Sequence, residues 1–255
     1  MDGKISIRAA SGESGPFLAK NFPLRHETDA THAAGESMSF REVQKEQKEK
    51  TSQALIEAAL DLAEEQGYAS LSLRSVARKA GIAPTSFYRH FREMDELGLA
   101  IAEQGAQKLL DWMDRFRQSR RAAPVKPPKD PSGRPVLISS LVKPFVETFL
   151  DCLDQNSLLL RLFFQERTGS VRAMRASISK VTDSLTNSLT DELVRFGRDS
   201  GACSGQQCRL AAETLMTLAV SCGMDVLTGR KRAEAMERAV NMSELVLLGV
   251  WEKGG

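Results

Sequence analysis

Cysteine and histidine are scarce in this sequence, and their placement argues against several kinds of site. The four cysteines, at positions 152, 203, 208 and 222 of 255 residues, show no CxxC spacing, so we expect neither a disulfide scaffold nor a zinc ribbon. The three histidines, at positions 26, 32 and 90, are too scattered for a histidine-centred triad or metal cluster. There is also no G-x-S-x-G, P-loop or HExxH motif. We therefore predict a protein that is not an enzyme and has no metal or cofactor.

Long apolar runs and an excess of charge are also missing. No apolar run approaches the roughly 18 residues of a membrane span, and the N-terminus lacks the apolar core of a signal peptide. We therefore expect a cytoplasmic protein with no membrane partner. The net charge is only +2, from 35 Lys and Arg against 33 Asp and Glu. This balance argues against a protein that coats nucleic acid with bulk positive charge, but it permits a small basic face.

Helical periodicity dominates the chain, and no alternating Val/Ile/Thr-rich run competes with it. The predicted fold class is therefore all-α. Residues 1–40 keep no sustained apolar period, which predicts a disordered tail. A second break lies at 122–135, where five prolines and one glycine forbid a continuous helix.

The sequence after the tail predicts three helices with a glycine between the second and third. The predicted bounds are Arg41–Gln66, Leu73–Ala80 and Pro84–Phe91, and Gly81 can turn the chain in a left-handed conformation. Two short helices joined by a tight glycine turn form a helix-turn-helix, whose second helix enters the major groove of DNA.

Positive charge is concentrated in the same segment. Residues 66–92 contain no Asp or Glu but include Arg74, Arg78, Lys79, Arg89 and Arg92. Hydroxyl, imidazole and guanidinium groups cluster near the predicted third helix, and these groups contact phosphate oxygens and base edges. The alternative is an ordinary solvated helical hairpin. The coincidence of charge, glycine turn and donor-rich helix favours DNA binding.

Three stretches of this segment resemble a known family. AGIAPTSFYRHFREMDELGLAI is similar to the hallmark of TetR-type repressors, and ASLSLRSVARKAG and KEKTSQALIEAALDLAEEQGY resemble the two helices before it. The resemblance runs from about Lys48 to Leu99. It implies a helix-turn-helix DNA-binding domain at 41–98. It also implies a helical effector-binding and dimerisation domain at 99–255, which contains the Pro-rich linker at 122–135.

The resemblance also implies which side chains contact DNA. In the family pattern Tyr88 and His90 contact the DNA backbone, and Arg74 is a candidate for base edges together with two hydroxyl side chains of the third helix. The predicted DNA-binding residues are Lys48, Lys50, Ser72, Arg74, Thr85, Ser86, Tyr88, Arg89, His90 and Arg92.

The sequence departs from the family pattern at two positions. Ala83 stands where the family usually has a serine, so the third helix is expected to lack a side-chain N-cap. Met94 stands where a lysine is common. The phosphate contact of that lysine is then absent or supplied by Arg92.

A closer similarity extends into the C-terminal half. NSLLLRLFFQERTGS, together with SLSLRSVARKAGIAPTSFYRHFR, is similar to the FabR and DesT type of TetR-family repressor, which controls unsaturated fatty-acid synthesis or desaturation genes. The similarity implies a long-chain acyl thioester, of coenzyme A or acyl carrier protein, as the effector. The alternative is a repressor of an efflux or other operon that responds to a small hydrophobic, drug-like ligand.

The C-terminal half predicts five further helices and a candidate pocket. The predicted bounds are Val136–Asp154, Ser157–Glu166, Val171–Arg198, Gln206–Leu227 and Arg232–Trp251. An acyl chain needs apolar walls with few polar groups, and the candidate ligand-binding residues are Phe145, Phe149, Leu159, Arg161, Phe163, Phe164 and Arg167. The alternative is that the apolar members simply form the core. Arg161 would meet a ligand head group or pair with Glu166.

The last two predicted helices are apolar enough to pair with their copies. Such pairing predicts a homodimer on palindromic double-stranded operator DNA, with recognition helices roughly 34–36 Å apart. The alternative is a monomer that buries both helices internally.

Overall fold

Every regular element in the described part of the chain is helical, which confirms the all-α prediction. The computed structural model describes residues 39–122, 141–198 and 204–252. The helices are α1 (Phe40–Gln66), α2 (Leu73–Lys79), α3 (Pro84–Phe87), α4 (Met94–Ala122), α5 (Lys143–Gln155), α6 (Ser157–Gln165), α7 (Arg172–Arg198), α8 (Gly205–Leu227) and α9 (Arg232–Glu252). The predicted tail and the predicted linker lie almost wholly outside the described residues.

Helix α1 has a buried face only in its C-terminal half. Its buried side chains recur at helical spacing and are Leu55, Ile56, Ala58, Ala59 and Ala63. Before Thr51, every residue of the helix except the half-buried Glu46 is exposed. Gly67 follows with φ at 77°, and its N–H donates to the carbonyl of Ala63 at 2.9 Å. Glycine therefore ends α1 at a positive φ, which L residues rarely adopt.

Local sequence signals define the start of α2 and α3. Ser72 caps α2, because its hydroxyl accepts from the Ser75 N–H and the Ser75 hydroxyl accepts from the Ser72 N–H, both at 3.1 Å. Gly81, with φ at 72°, turns the chain between the two helices. Ala83 provides no side-chain cap for α3, as expected, and Pro84 occupies the first turn, where its missing N–H costs nothing.

Helix α3 ends at Phe87, so the prediction of a helix to Phe91 was wrong. After Phe87 two backbone hydrogen bonds join residues three apart in the sequence. The Arg89 N–H donates to the Ser86 carbonyl at 3.1 Å, and the His90 N–H donates to the Phe87 carbonyl at 2.8 Å. These bonds span three residues, not four. The chain therefore forms a turn that leads towards α4.

Replacement of Gly81 by alanine should destabilise the fold by about 1–2 kcal/mol, because an L side chain is strained at this positive φ. An added Cβ would meet no heavy atom within 4 Å, so backbone strain is the whole effect. Gly205→Ala is the matched control, because that position is equally open but has no positive φ. Thermal unfolding should show a lower Tm for Gly81→Ala only. Equal Tm values for the two variants would contradict the expectation.

Helix α4 connects the helix-turn-helix to the C-terminal half. It runs for 29 residues, and the predicted domain boundary between residues 98 and 99 falls inside it. The Tyr68 hydroxyl donates to the Met94 carbonyl at 2.5 Å. A Cβ at Gly98 would lie 2.8 Å from the Tyr68 hydroxyl and 2.7 Å from the Met174 sulfur. Glycine therefore lets α4 lie close to both side chains.

An aromatic cluster lies between α4 and α5. The ring of Trp112 lies 5.2 Å from those of Phe145 and Phe149, and Phe116 lies 5.3 Å from Phe145, all between centroids. All four side chains are buried. The Trp112 indole N–H donates to the Thr148 hydroxyl at 3.1 Å, so its burial leaves no polar atom unpaired.

The remaining helices follow the predicted pattern closely. Helices α6 to α9 begin and end within one residue of their predicted bounds. Helix α5 begins at Lys143, after a short π turn at Leu141 and Val142, and predicted residues 136–140 lie outside the described part.

Helix α8 is long and apolar enough, by length and composition alone, to cross a membrane, with a mean hydropathy of 1.4 in its most apolar window. In the fold it lies against α7 and α9 and buries much of its apolar face, as core helices do.

Candidate nucleic-acid interface

The α2–turn–α3 segment presents donor groups on one open surface. A cleft of about 470 Å³ lies there, lined by Ser72, Arg74, Ser75, Arg78, Ile82 and Pro84. Arg74 and Arg78 are exposed one helical turn apart, and neither forms an ion pair with any described residue. Lys79 differs, because its ammonium group lies 3.3 Å from the Asp61 carboxylate on α1. The two arginines of the cleft are therefore the cations of α2 that are available to an anionic partner.

The residues of α3 and the turn after it divide between core and solvent. Phe87 is fully buried and Phe91 nearly so, with ring centroids 5.8 Å apart. Thr85 and Arg89 are exposed, and 63% of Tyr88 is exposed although its ring edge lies against Phe87. The buried phenylalanines thus anchor a short segment in which Thr85, Tyr88 and Arg89 face solvent.

His90 is held by a side chain of α1. Its Nδ1 lies 3.0 Å from the Ser52 hydroxyl. Burial, followed by the charges of Lys48 and Arg89, lowers the pKa of His90, which favours the neutral form of the ring. When the Ser52 hydroxyl donates to Nδ1, the ring proton resides on Nε2, which can donate to a phosphate oxygen. Ser52 was missed in the sequence, where its only signal is its position one turn after Lys48.

The two predicted serine contacts differ in their surroundings. The Ser72 hydroxyl caps α2 while the residue stays exposed at the cleft. Ser86 is half-buried, and its N–H donates to the Ala83 carbonyl at 2.8 Å. Thr85 is the more accessible hydroxyl of α3.

The start of α4 explains one departure from the family pattern. Met94, where a lysine is common, is half-buried and packs against the core. Arg92 is exposed, and its backbone N–H donates to the Glu96 carboxylate at 2.5 Å. Arg92 is thus an exposed cation two residues before the position of the missing lysine.

Lys48 and Lys50 lie on opposite sides of α1, because two residues correspond to about 200° of helical rotation. Lys48 shares a face with Ser52, and its charge lowers the pKa of His90. The ammonium group of Lys50 lies 2.6 Å from the Glu46 carboxylate instead. The structure therefore brings Lys48 to the predicted DNA-binding residues and does not bring Lys50 there.

Most of the predicted ligand-binding residues form packed core. Phe145, Phe149 and Phe163 are fully buried, and Leu159 is 8% exposed. The Phe163 ring lies directly against α4, since a Cβ added at Gly105 would be 2.7 Å from its Cδ2. These contacts are those of a close-packed core.

Phe164, Arg161 and Arg167 have different surroundings. Phe164 is half-buried, with its ring centroid 5.5 Å from that of Phe163, and Arg167 is exposed in the turn after α6. Arg161 donates to the Glu64 carboxylate of α1 at 3.0 Å and to the Leu227 carbonyl at 2.7 Å. Of the two alternatives for Arg161, the pairing with Glu166 is therefore excluded, because its guanidinium faces α1 and α8. Among the described residues, no group of three or more His, Cys, Asp or Glu side chains could hold a metal ion.

The helix-turn-helix also matches a known family by sequence. Residues 55–101 match the family described as bacterial regulatory proteins, tetR family. This segment is therefore similar in sequence to the helix-turn-helix of tetR-family regulatory proteins. Members of this family bind operator DNA, act as dimers and are not enzymes.

Solved TetR-like structures share the fold of about three quarters of the chain or more. A putative TetR-family transcriptional regulator from Mesorhizobium loti is 18% identical, with a TM-score of 0.57 over 79% of this chain and 96% of that one. A TetR-like transcriptional regulator from Rhodococcus sp. RHA1 is 18% identical, with a TM-score of 0.58 over 78% and 96%. The fatty acid degradation regulator FadR from Bacillus halodurans is 18% identical, with a TM-score of 0.57 over 77% and 94%.

Ser52→Ala should weaken operator binding by about fivefold, equivalent to one hydrogen bond of about 1 kcal/mol. The loss arises because the His90 ring is no longer held in one tautomer. Thr51→Ala is the matched control, since the Thr51 hydroxyl donates to the Gln47 carbonyl of its own helix at 2.9 Å. Fluorescence anisotropy with labelled operator measures both variants. Similar affinities for the two would show that Ser52 does not position His90.

The pH dependence of operator binding provides a separate test of His90. A phosphate beside the ring favours the imidazolium, so the pKa of His90 should be higher in the complex than in the free protein, where it is lowered. Binding then takes up a proton, and affinity should rise as the pH falls through the titration range of imidazole. His90→Asn should flatten this dependence. An unchanged pH profile in that variant would exclude a phosphate contact.

Proposed function

We propose that this protein is a cytoplasmic repressor whose two α2–turn–α3 segments bind a palindromic operator. The observation that supports this most is the open surface that carries Arg74, Arg78, Tyr88 and Arg89 within an acid-free segment. Phosphate attraction needs only such a local patch on an almost neutral molecule. Direct contacts to base edges would then select the sequence.

The homodimer would form through α8 and α9, which lie against one another in each chain. Leu215 and Met216 face inward, because they are 1% and 5% exposed. Met242 and Leu245 on α9 are 40% and 73% exposed. Apolar side chains that stay this exposed in one chain support pairing with a second copy.

We propose that the regulated genes belong to lipid or unsaturated fatty-acid metabolism and that the effector is a long-chain acyl thioester. The similarity of residues 156–170 to the FabR and DesT type supports this, as does the shared fold with a fatty acid degradation regulator. The effector region is also joined to the DNA-binding part, because Arg161 of α6 contacts Glu64 of α1. A ligand can change DNA affinity through this contact only to the extent that it binds one arrangement of the effector region and the DNA-binding part more tightly than another.

A genome-wide binding map in the host tests the pathway. Sites upstream of desaturase or fatty-acid synthesis genes would support the proposed regulon. Sites only beside an unrelated transporter would support the second candidate, a repressor of an efflux operon. Absence of discrete sites would contradict operator binding itself.

Native mass spectrometry of protein purified from its host tests the effector. A co-purifying acyl species supports the lipid effector, whereas a drug-like aromatic compound supports the efflux repressor. The aromatic residues of α5 and α6 that are candidates for lining a pocket are compatible with either ligand. The mass of the bound compound therefore decides between the two effectors.

A further inference from the structure

The N-terminal half of α1 separates its charges onto two faces. At about 100° per residue, Arg41, Lys45, Lys48 and Ser52 fall within about 60° of helical rotation. We call Arg41, Lys45 and Lys48 the α1 basic stripe. All three residues are exposed.

The acids of the same segment lie on a neighbouring face. Glu42, Glu46 and Glu49 are centred about 100° from the stripe. The Glu46 carboxylate lies 2.6 Å from the ammonium group of Lys50, which is on the side of α1 opposite the stripe. Lys45 approaches Glu49 only at 3.8 Å, in a pair whose side chains are 78% and 66% exposed, and such surface pairs contribute little. Within residues 39–122, Arg41 and Lys48 form no ion pair. The stripe therefore keeps most of its charge for another partner.

The stripe continues the surface that carries His90. Ser52, on the same face of α1, contacts the His90 ring at 3.0 Å. Lys48, one turn earlier, lies near enough for its charge to lower the pKa of that ring. From Ser52 to the start of α1 the helix extends about 18 Å, with no described element covering its exposed side. A duplex held against His90 would therefore meet the rest of the stripe.

We propose that the α1 basic stripe binds backbone phosphates of the operator duplex outside the base pairs that α2 and α3 contact. This inference rests on the proposed operator binding and adds to it a longer footprint. The contacts would carry no sequence information, because cationic side chains on phosphates position a protein without selecting bases. They would make affinity depend on the length of duplex beyond each half-site.

The test compares full-length wild-type protein with the triple variant Arg41→Gln, Lys45→Gln, Lys48→Gln. Glutamine keeps a helix propensity close to that of lysine and arginine, so α1 should remain helical. The probes are a duplex limited to the mapped operator and the same operator with flanking base pairs of arbitrary sequence. Lys48→Gln against Lys50→Gln forms a matched pair, since both remove one charge, two residues apart, on opposite faces of α1.

Wild-type protein should bind the flanked duplex more tightly than the limited one, and the triple variant should lose roughly ten- to a hundredfold more affinity for the flanked duplex than for the limited one. The slope of log affinity against log salt should fall by about 0.9 for each phosphate that the variant no longer neutralises. Lys48→Gln should reduce both the affinity for the flanked duplex and the salt slope, whereas Lys50→Gln should leave both at their wild-type values.

Two results would overturn the inference while leaving operator binding intact. One is equal wild-type affinity for the limited and flanked duplexes. The other is an equal loss for Lys48→Gln and Lys50→Gln, which would indicate a general charge effect. If wild-type protein binds neither duplex more tightly than a scrambled one, the proposed operator binding fails instead. Circular dichroism of each variant shows whether its helix content is retained.

Discussion

Arg74→Ala is expected to weaken operator binding by about 1–3 kcal/mol, which is roughly 5- to 150-fold. Arg74 is exposed at the start of α2 and borders the cleft that reaches Pro84 at the start of α3. Its guanidinium forms no ion pair with a described residue, so its removal leaves no buried charge behind. The loss should therefore appear in DNA binding and not in folding.

Lys79→Ala is the control for this substitution. Lys79 belongs to the same helix and carries the same charge, but its ammonium group lies 3.3 Å from Asp61, on the side that faces α1. Fluorescence anisotropy should show a large loss for Arg74→Ala and a small one for Lys79→Ala. Sedimentation should find both variants dimeric.

The sequence dependence of the loss identifies the kind of contact. If Arg74 meets a base edge, its removal should reduce affinity for the operator more than for a scrambled duplex. If it meets a phosphate, both affinities should fall together and the salt slope should decrease by about 1. Unchanged affinity for both duplexes would exclude the α2–α3 surface as the binding face.

The helix-turn-helix could be predicted almost completely, because its determinants are local. Gly81 supplies the positive φ of the turn, Pro84 starts α3, and Phe87 and Phe91 recur at the spacing of one buried face. The early end of α3 was missed. Phe91 N–H still donates to the Phe87 carbonyl at 3.0 Å, so the periodicity of the phenylalanines continues although the helix itself does not.

Contacts between distant segments could not be predicted in the same way. Arg161 has an acid five residues later in the chain, yet it pairs with Glu64, which is 97 residues away. Ser52 reaches His90 over 38 residues. The sequence periodicity indicates neither contact, because the packing angle between helices decides which side chains meet.

Phe149→Ala should reduce the free energy of unfolding by about 3–5 kcal/mol, because it removes a fully buried ring from a packed cluster. Its centroid lies 5.2 Å from that of Trp112 and 6.1 Å from that of Phe164. On its other side, a Cβ at Gly223 would be 2.9 Å from its Cε1. With neighbours this close, the substitution leaves a cavity. For a chain of this size, Tm should fall by about 6–20 °C.

The same variant decides between the core and pocket interpretations of the aromatic residues. If Phe149 were the wall of an open pocket, its truncation would enlarge an existing space and cost well under about 3 kcal/mol, while effector affinity changed strongly. Phe164→Ala is the comparison, since that side chain is only half-buried and should cost less in a packed core. Thermal unfolding must use equal protein concentrations, because dimerisation itself raises Tm. A Tm for Phe149→Ala at or above that for Phe164→Ala would contradict the core role of Phe149. It would favour a ligand-binding pocket lined by side chains of α5.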